Sequence, residues 1–515
     1  MGRRNFSQHT GSRTVTTGPA AIRRTTRLRH TTVFLLWIGV LAPGFTAGRT
    51  QESRTPEFRT AVNTEVAAAR QVAPELGVQI VELASGETVY SFNPDTPRIL
   101  ASNTKIVTTA AALDRLGPGF VYETEILARG EVRGGVLAGD LAVLGSGDPG
   151  FSGRDYQGDS FGPFRDWAAA LREHGVDRVA GDLVLVDGLF DDETVHPDWP
   201  RDQLTRWYEA PVSALSFNDN CVLVKVSPDG SDGAAARVET VPPLPIFRIE
   251  STARTTGRAR DQWLRIDRDA DGNGSESLTV GGRVYRRTES VDQWVTVADP
   301  VRYFGSALRA ALAEEGVAVE GGVRRAETLG GGGWRRVHLH LGDLLTTLEV
   351  INKRSQNFYA ESVLKLLGAR LCDDGSWAGG VRAVTEFLAE VGFPEGSYRL
   401  ADGSGMSRNN RFTPAQVTAL LRHMFFHRWG SQYLKTFPHS GERDLKWARR
   451  LAKPPYLGNV LAKTGWLSGV STLSGYAKAR SGKVYAFSIL CNSARTKWQA
   501  EKAQDRIVQA LIDHG

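Results

Sequence analysis

Cysteine is scarce in this chain: three among 515 residues, at Cys221, Cys372 and Cys491. No two form a CxxC, which speaks against a zinc site or a redox dithiol. In an oxidising compartment two could pair and leave one free. The ten histidines fall into no Ser-His-Asp arrangement. Internal repeats and a low-complexity majority are absent. The first fifty residues lack lysine, aspartate and glutamate, yet hold eight arginines. Without those arginines the formal charge falls from +6 to −2. A near-neutral body gives no electrostatic case for a nucleic-acid partner. What remains is ordinary globular composition, 41% hydrophobic and 23% charged, long enough for two or three domains.

The arginine-rich start has its own logic. Basic residues run to Arg29 and His30, an apolar run follows from Val33 to Leu41, and Thr46, Ala47 and Gly48 are small. That order predicts a signal peptide over residues 1–48. The apolar run is short for a transmembrane helix, and an uncleaved anchor is the alternative. Arg3-Arg4-Asn5-Phe6 faintly suggests a twin-arginine address, although it sits far from the apolar run. The expected location is exported, in the periplasm or cell envelope, with peripheral or no membrane contact.

The chain behind the leader is of two textures. Glu57 to Val72 reads as an amphipathic helix, then Leu76–Glu82 and Thr88–Phe92 as a β-hairpin. A helix is expected to open at Ser102 and run to Leu113. From 126 to 335 short β-like stretches alternate with Gly, Pro and Asp turns, as at Leu137–Leu144 and Gly181–Val186. Helices return at Leu344–Val350, Asn357–Ala369, Arg382–Val391 and Pro414–Phe426. Three strands (Asn459–Ala462, Val470–Ala479, Val484–Cys491) and a helix over Thr496–Ile512 close the chain. The expected class is α+β. Two front strands and three back strands close one antiparallel five-stranded sheet with flanking helices, formed by 57–125 and 336–515. Residues 126–335 form an inserted β-rich region of two domains.

Three short motifs carry chemistry. Ser102-Asn103-Thr104-Lys105 is a Ser-x-x-Lys, whose i, i+3 spacing puts both side chains on one helix face. A serine hydroxyl needs a base, and a neutral lysine can serve. The bland alternative for Ser102 is a helix cap. Ser355-Gln356-Asn357 is a Ser-x-Asn at a helix boundary, where a cap is again the alternative. Lys463-Thr464-Gly465 sits on a predicted strand, where Gly465 would let a ligand backbone approach and Lys463 would supply fixed charge. Decoys exist: Ser362–Lys365 inside a helix, and the Ser-x-Asn triplets that start at Ser91, Ser216 and Ser407. Order singles out the three, since Ser355 follows Ser102 by 253 residues and Lys463 follows Ser355 by 108.

The ordered set is that of penicillin-binding proteins and class A β-lactamases. With Gly145–Pro149, Ala210–Asn218, Asp299-Pro300 with Tyr303-Phe304, Asn352-Lys353 and Asp402–Ser407, the chain resembles the class C, low-molecular-mass penicillin-binding proteins. These are D-alanyl-D-alanine carboxypeptidase/endopeptidases. The resemblance runs from about 60 to 513 and implies a transpeptidase-like domain with inserted β-rich domains. It implies Ser102 as nucleophile, Lys105 as base, and Ser355 and Lys463 as a relay to the leaving amine. Asn357 would hold the substrate amide, with Thr464, Gly465 and Trp466 lining the substrate. The implied substrate is a peptidoglycan stem peptide, the implied inhibitors are β-lactams, and no cofactor or metal is needed. Gln356 stands where the family has Asp or Asn, and Trp466 where it has Thr or Ser. A β-lactamase or esterase and a non-catalytic wall-binding protein are the other readings. Asp267, Asp269, Asp271 and Gly272 start like a calcium loop, but Leu278 stands where a bidentate Glu belongs, so a polar hairpin turn is expected. His338 and His340 read as surface residues.

Overall fold

The computed structural model describes residues 55–270 and 275–515. The leader over 1–48, and Asp271 and Gly272, lie outside them. The first described element is helix α1 (Thr55–Val72), followed by strands β1 (Glu75–Glu82) and β2 (Thr88–Phe92). A 3-10 turn, Ala101–Asn103, leads into α2 (Thr104–Leu116). Next come β3 (Val121–Arg133), β4 (Val136–Leu144), α3 (Gly162–Glu173), β5 (Cys221–Ser227), the hairpin β6 (Trp263–Ala270) and β7 (Glu276–Tyr285), α4 (Pro300–Glu314) and β8 (Trp334–Asp343). The chain then forms α5 (Leu344–Lys353), α6 (Asn357–Leu371), α7 (Trp377–Val391) and α8 (Pro414–Phe426). It ends with β9 (Val460–Leu467), β10 (Val470–Lys478), β11 (Val484–Asn492) and α9 (Lys497–His514).

The two ends of the chain build one five-stranded sheet, in the order β9-β10-β11-β1-β2. Every neighbouring pair is antiparallel. The front hairpin joins the back strands through Val78 opposite Ile489 and Ile80 opposite Phe487. Every residue of β11 is buried, because the sheet is covered on both faces. On one face Phe58, Val62 and Val66 of α1 and Ile507, Val508 and Leu511 of α9 share a core with Val78, Leu473 and Phe487. On the other, Tyr476 of β10 donates its hydroxyl to Leu421 O of α8 at 2.8 Å. Local signals set the helix starts. Thr413 and Gln416 form a capping box ahead of Pro414, and Ser376 caps α7. That cap starts α7 at Trp377, five residues before the Arg382 expected from hydrophobic spacing.

Between α2 and α5 lies the β-rich region. A seven-stranded sheet holds β3, β4, β8 and four shorter strands, beside a four-stranded and a three-stranded sheet. One apolar core runs through it from Ile126 to Val319, where Phe304 of α4 meets Phe164 of α3 edge-to-face and Trp167 of α3 at a tilt. Strand β8 hands over directly to α5, whose first turn is capped by Asp343 Oδ2 accepting from Thr346 N at 2.8 Å. No helix among the described residues is long and apolar enough to cross a membrane.

Phe487 is fully buried between the layers. Phe487→Ala is expected to lower stability by about 3–5 kcal/mol, measured as a shift of the denaturant midpoint. Trp498→Ala, on a side chain 66% exposed, is expected to change it by no more than ~0.5 kcal/mol.

Candidate active site

Ser102 sits in the 3-10 turn just before α2 and caps nothing: the α2 N-cap is Asn103, whose side chain makes no capping bond to the helix. Its Oγ instead accepts from Lys105 Nζ at 3.1 Å. Lys105 is fully buried. Its Nζ also donates to Asn357 Oδ1 at 2.7 Å and to Ser404 O at 2.7 Å. A buried amine needs such acceptors, since removing it from water without them costs several kcal/mol (~2–7 for a neutral polar group).

Ser355 lies just ahead of α6, in the left-handed region at φ 59°. A non-glycine residue holds that conformation at a cost of ~1 kcal/mol. Ser355 is no cap either; the α6 N-cap is Gln356. Ser355 Oγ accepts from Lys463 Nζ at 2.8 Å, and Nζ also donates to Thr464 O at 2.9 Å. Strand β9 is tied to the Ser102 turn by Asn103 Nδ2 donating to Lys463 O at 2.8 Å. Asn357 Nδ2 donates to Tyr208 O at 2.8 Å. Thus Ser102, Lys105, Ser355, Asn357 and Lys463 form one cluster, with half-exposed Thr464 at its edge.

Gly465 packs against the Ser102 turn. A Cβ there would lie 2.2 Å from Thr472 Oγ1, 2.9 Å from Leu100 O and 2.9 Å from Ser102 N. Glycine at this position lets β9 lie against the Ser102 turn. Strand alternation sends Trp466 to the opposite face from Lys463 and Gly465. Its indole is 38% exposed, with Lys497 Nζ 5.6 Å from the ring centre. The backbone N–H of Trp466 is untouched by that side chain.

The β-rich region reaches into this cluster. Gln356 Nε2 donates to Asp219 Oδ2 at 2.7 Å, and Arg154 pairs with the same carboxylate. Burial pushes the Asp219 carboxyl up, opposed by Arg154 and Gln356. Asn218, Asp219 and Asn220 all hold positive φ (53°, 59° and 51°) to make that reach. Beside Tyr208, fully buried Glu209 has no hydrogen-bond partner on either oxygen among the described residues. Burial, with Asp202 adding to it, pushes its carboxyl from 4.5 up to about 7. Residue patterns did not single out Tyr208, Glu209, Arg154 or Glu361. Asp219 adjoins the Ala210–Asn218 stretch, and Ser404 lies within Asp402–Ser407.

Several other expectations need correction or placement. All three cysteines are free, and Cys221 and Cys491 are buried. His340 is not a surface residue: its ring packs 4.5 Å from Phe151 and 5.9 Å from Trp167, and burial beside His338 pushes it down to about 4. Lys365 of the decoy motif is fully buried, donates to Asp191 Oδ1 at 2.5 Å and lies 4.2 Å over Trp377. Asp267 and Asp269 lie on β6 of the β6–β7 hairpin. Among the described residues no three His, Cys, Asp or Glu are grouped to hold a metal. A Gly-x-Ser-x-Gly does occur, at Gly158–Gly162. It lies in turns ahead of α3 with no strand before it, so it lacks the strand–elbow–helix context of a hydrolase nucleophile.

Comparison with known proteins supplies the family. Residues 61–512 match the D-Ala-D-Ala carboxypeptidase 3 (S13) family. The chain belongs to this family. A D-alanyl-D-alanine carboxypeptidase of Actinomadura sp. (strain R39) is 32% identical over 460 residues, 85% of this chain and 81% of the relative. D-alanyl-D-alanine carboxypeptidase DacB of Haemophilus influenzae is 26% identical over 444 residues, 85% of this chain and 90% of the relative. The crystal structure of penicillin binding protein 4 (dacB) from Haemophilus influenzae superposes with a TM-score of 0.74 at 25% identity, covering 86% of this chain and 97% of that one. The S13 chain is therefore an enzyme, a serine D-Ala-D-Ala carboxypeptidase by family.

Two outcomes are expected. Gly465→Ala forces β9 off the Ser102 turn, so acylation by benzylpenicillin should fall by at least ~100-fold in a protein that keeps its fold by circular dichroism. Glu209 keeps in the folded state a proton that the unfolded chain releases above 4.5. Its contribution is favourable below that pH and is lost as pH rises toward about 7. Glu209→Gln should flatten that fall and raise stability at pH 8 by ~1–3 kcal/mol, read from melting series across pH on both proteins.

Proposed function

We propose that the chain cleaves D-alanyl-D-alanine termini of peptidoglycan stem peptides through an acyl-enzyme on Ser102. The observation that carries this is the pair of serine–lysine contacts, Lys105 Nζ on Ser102 Oγ at 3.1 Å and Lys463 Nζ on Ser355 Oγ at 2.8 Å. Lys105 takes the hydroxyl proton as Ser102 Oγ bonds to the carbonyl carbon of the penultimate D-Ala. The carbonyl oxygen gains charge in the oxyanion hole formed by the N–H groups of Ser102 and Trp466. The C–N bond then breaks, and Ser355 with Lys463 passes a proton to the leaving amine. Asn357 binds the substrate amide, while Lys463 and Thr464 bind the terminal carboxylate. Water attacks the ester, and Ser102 regains its proton. A β-lactam carbonyl acylates the same oxygen. An endopeptidase reaction on a cross-link uses the same steps, with the cross-linking amine as leaving group.

The Gln356 and Trp466 departures fit this reading. Gln356 has the reach to bond Asp219, and Trp466 keeps a backbone N–H whatever its side chain. Residues 57–125 and 336–515 carry the chemistry, and 126–335 braces it through Tyr208 and Asp219. The substrate places the enzyme outside the cytoplasmic membrane, in keeping with the leader read over 1–48.

Release of D-alanine from an acyl-D-alanyl-D-alanine peptide tests the reading. Ser102→Ala and Lys105→Ala are each expected to lower kcat/KM by ~10⁴-fold or more. Release by Ser102→Ala at the wild-type rate would refute it.

A further inference from the structure

A lysine that acts as a base must aim its lone pair as well as lose its proton. Lys105 Nζ donates to Asn357 Oδ1 and Ser404 O, both at 2.7 Å, and to Ser102 Oγ at 3.1 Å; a neutral amine that keeps the two shorter bonds turns its lone pair toward Ser102 Oγ. Asn357 is a side chain on α6, but Ser404 O belongs to a loop and needs its own support. That support comes from the same helix.

Glu361 lies one turn after Asn357 on α6, on the same face. It is fully buried. Its Oε1 accepts from Ser404 N at 2.7 Å, and its Oε2 accepts from Gly403 N at 2.9 Å and from Trp377 Nε1 at 2.8 Å. All three partners are N–H donors, which favour the carboxylate, while burial first and the Asp402 carboxyl second push Glu361 up against them. The peptide that carries Ser404 O is also held at its other end, where Gly405 N donates to Asp402 Oδ1 at 2.8 Å. From the α2 side, Thr108 Oγ1 donates to Gly403 O at 2.8 Å. The loop cannot slide: a Cβ on Gly405 would lie 1.9 Å from Ala101 O, and one on Gly403 would lie 2.6 Å from Ala360 O.

We infer that Glu361 is a positioning residue of the reaction, which holds the Gly403–Ser404 backbone so that Ser404 O orients the Lys105 amine toward Ser102. Helix α6 then fixes both acceptors, one directly through Asn357 and one through Glu361. The charge of Glu361, one hydrogen bond behind Ser404, also bears on the proton equilibrium of Lys105. The charged groups that face Glu361 are Asp402 from the loop and His196, with Lys365 one turn further along α6. The inference rests on the proposed role of Lys105.

The test is the acylation rate constant with benzylpenicillin as a function of pH, for the full chain and its variants. Glu361→Gln removes the charge and faces an amide nitrogen toward N–H donors. Its limiting rate is expected to fall by ~100-fold, with the rising limb of the profile moved to lower pH by about one unit, because a charge favouring the protonated amine is gone. Thr108→Val loosens the same loop without a charge change, so its rate should fall with the limb unmoved. If Glu361→Gln does not fold, Glu361→Asp serves, since it keeps the charge and loses the reach; the expected result is a slower rate with an unmoved limb. A folded Glu361→Gln or Glu361→Asp that acylates at the wild-type rate with the wild-type limb would overturn the inference, even with a lowered melting temperature. Lys105→Ala separates the two levels. If it acylates normally, the base itself is misassigned. If it fails while Glu361→Gln is normal, only the positioning role falls.

Discussion

Lys105 has no exposed surface, and a buried amine must be given acceptors or it destabilises the fold that buries it. Those acceptors come from three distant parts of the chain: the 3-10 turn at Ser102, the start of α6 at Asn357, and the loop at Ser404. Holding them within 3.1 Å of one nitrogen requires α2, α6 and the 402–405 loop to pack in one arrangement. The second lysine, Lys463, is 1% exposed and imposes the same demand on β9, which must lie against the Ser102 turn. Asn103 and Gly465 meet it, one by a side-chain bond across the gap and one by having no side chain there. The two buried amines thus fix how α2, α6, β9 and the 402–405 loop pack around Ser102.

The β-rich region is part of that rigidity. It leaves after α2 and returns at α5; it holds the 402–405 loop through Trp199 Nε1 donating to Asp402 Oδ2, and it reaches the start of α6 through the Tyr208 carbonyl on Asn357 and through Asp219 on Gln356. The Asp219 contact is built at some cost, from three successive residues of positive φ and a buried carboxylate that Arg154 must neutralise. A shorter Asp or Asn at position 356 would fall short of Asp219. The unusual residue in the Ser-x-Asn motif is therefore matched to its neighbour in the inserted region.

Much of this was legible in the residues, for identifiable reasons. The ordered Ser-x-x-Lys, Ser-x-Asn and Lys-Thr-Gly motifs could be read because nucleophile, base and relay each need a particular side chain at a fixed local spacing. The front hairpin and the three back strands could be read from apolar runs bounded by turns, and together they gave the five-stranded sheet. What was hidden has a common character. Tyr208 and Ser404 act through backbone carbonyls, which leave no mark on residue type. Glu361 and Asp219 act through contacts across long stretches of chain. His340 was misread because period-2 alternation places a residue on a face without saying that Phe151 and Trp167 cover it. In the β-rich region the strand Leu183–Val186 could be read as an apolar run, but its parallel partners could not, because they lie far along the chain.

In the proposed reaction Ser102 Oγ is the atom that carries the acyl group. Intact mass spectrometry of the mature protein and of Ser102→Ala, each after incubation with benzylpenicillin, tests that most directly. The account predicts a gain of one drug mass on the wild type alone, mapped by digestion to the peptide that holds Ser102. A gain on both proteins, or an adduct mapped to another peptide, would contradict it, as would neither a gain nor hydrolysis of the drug by the wild type.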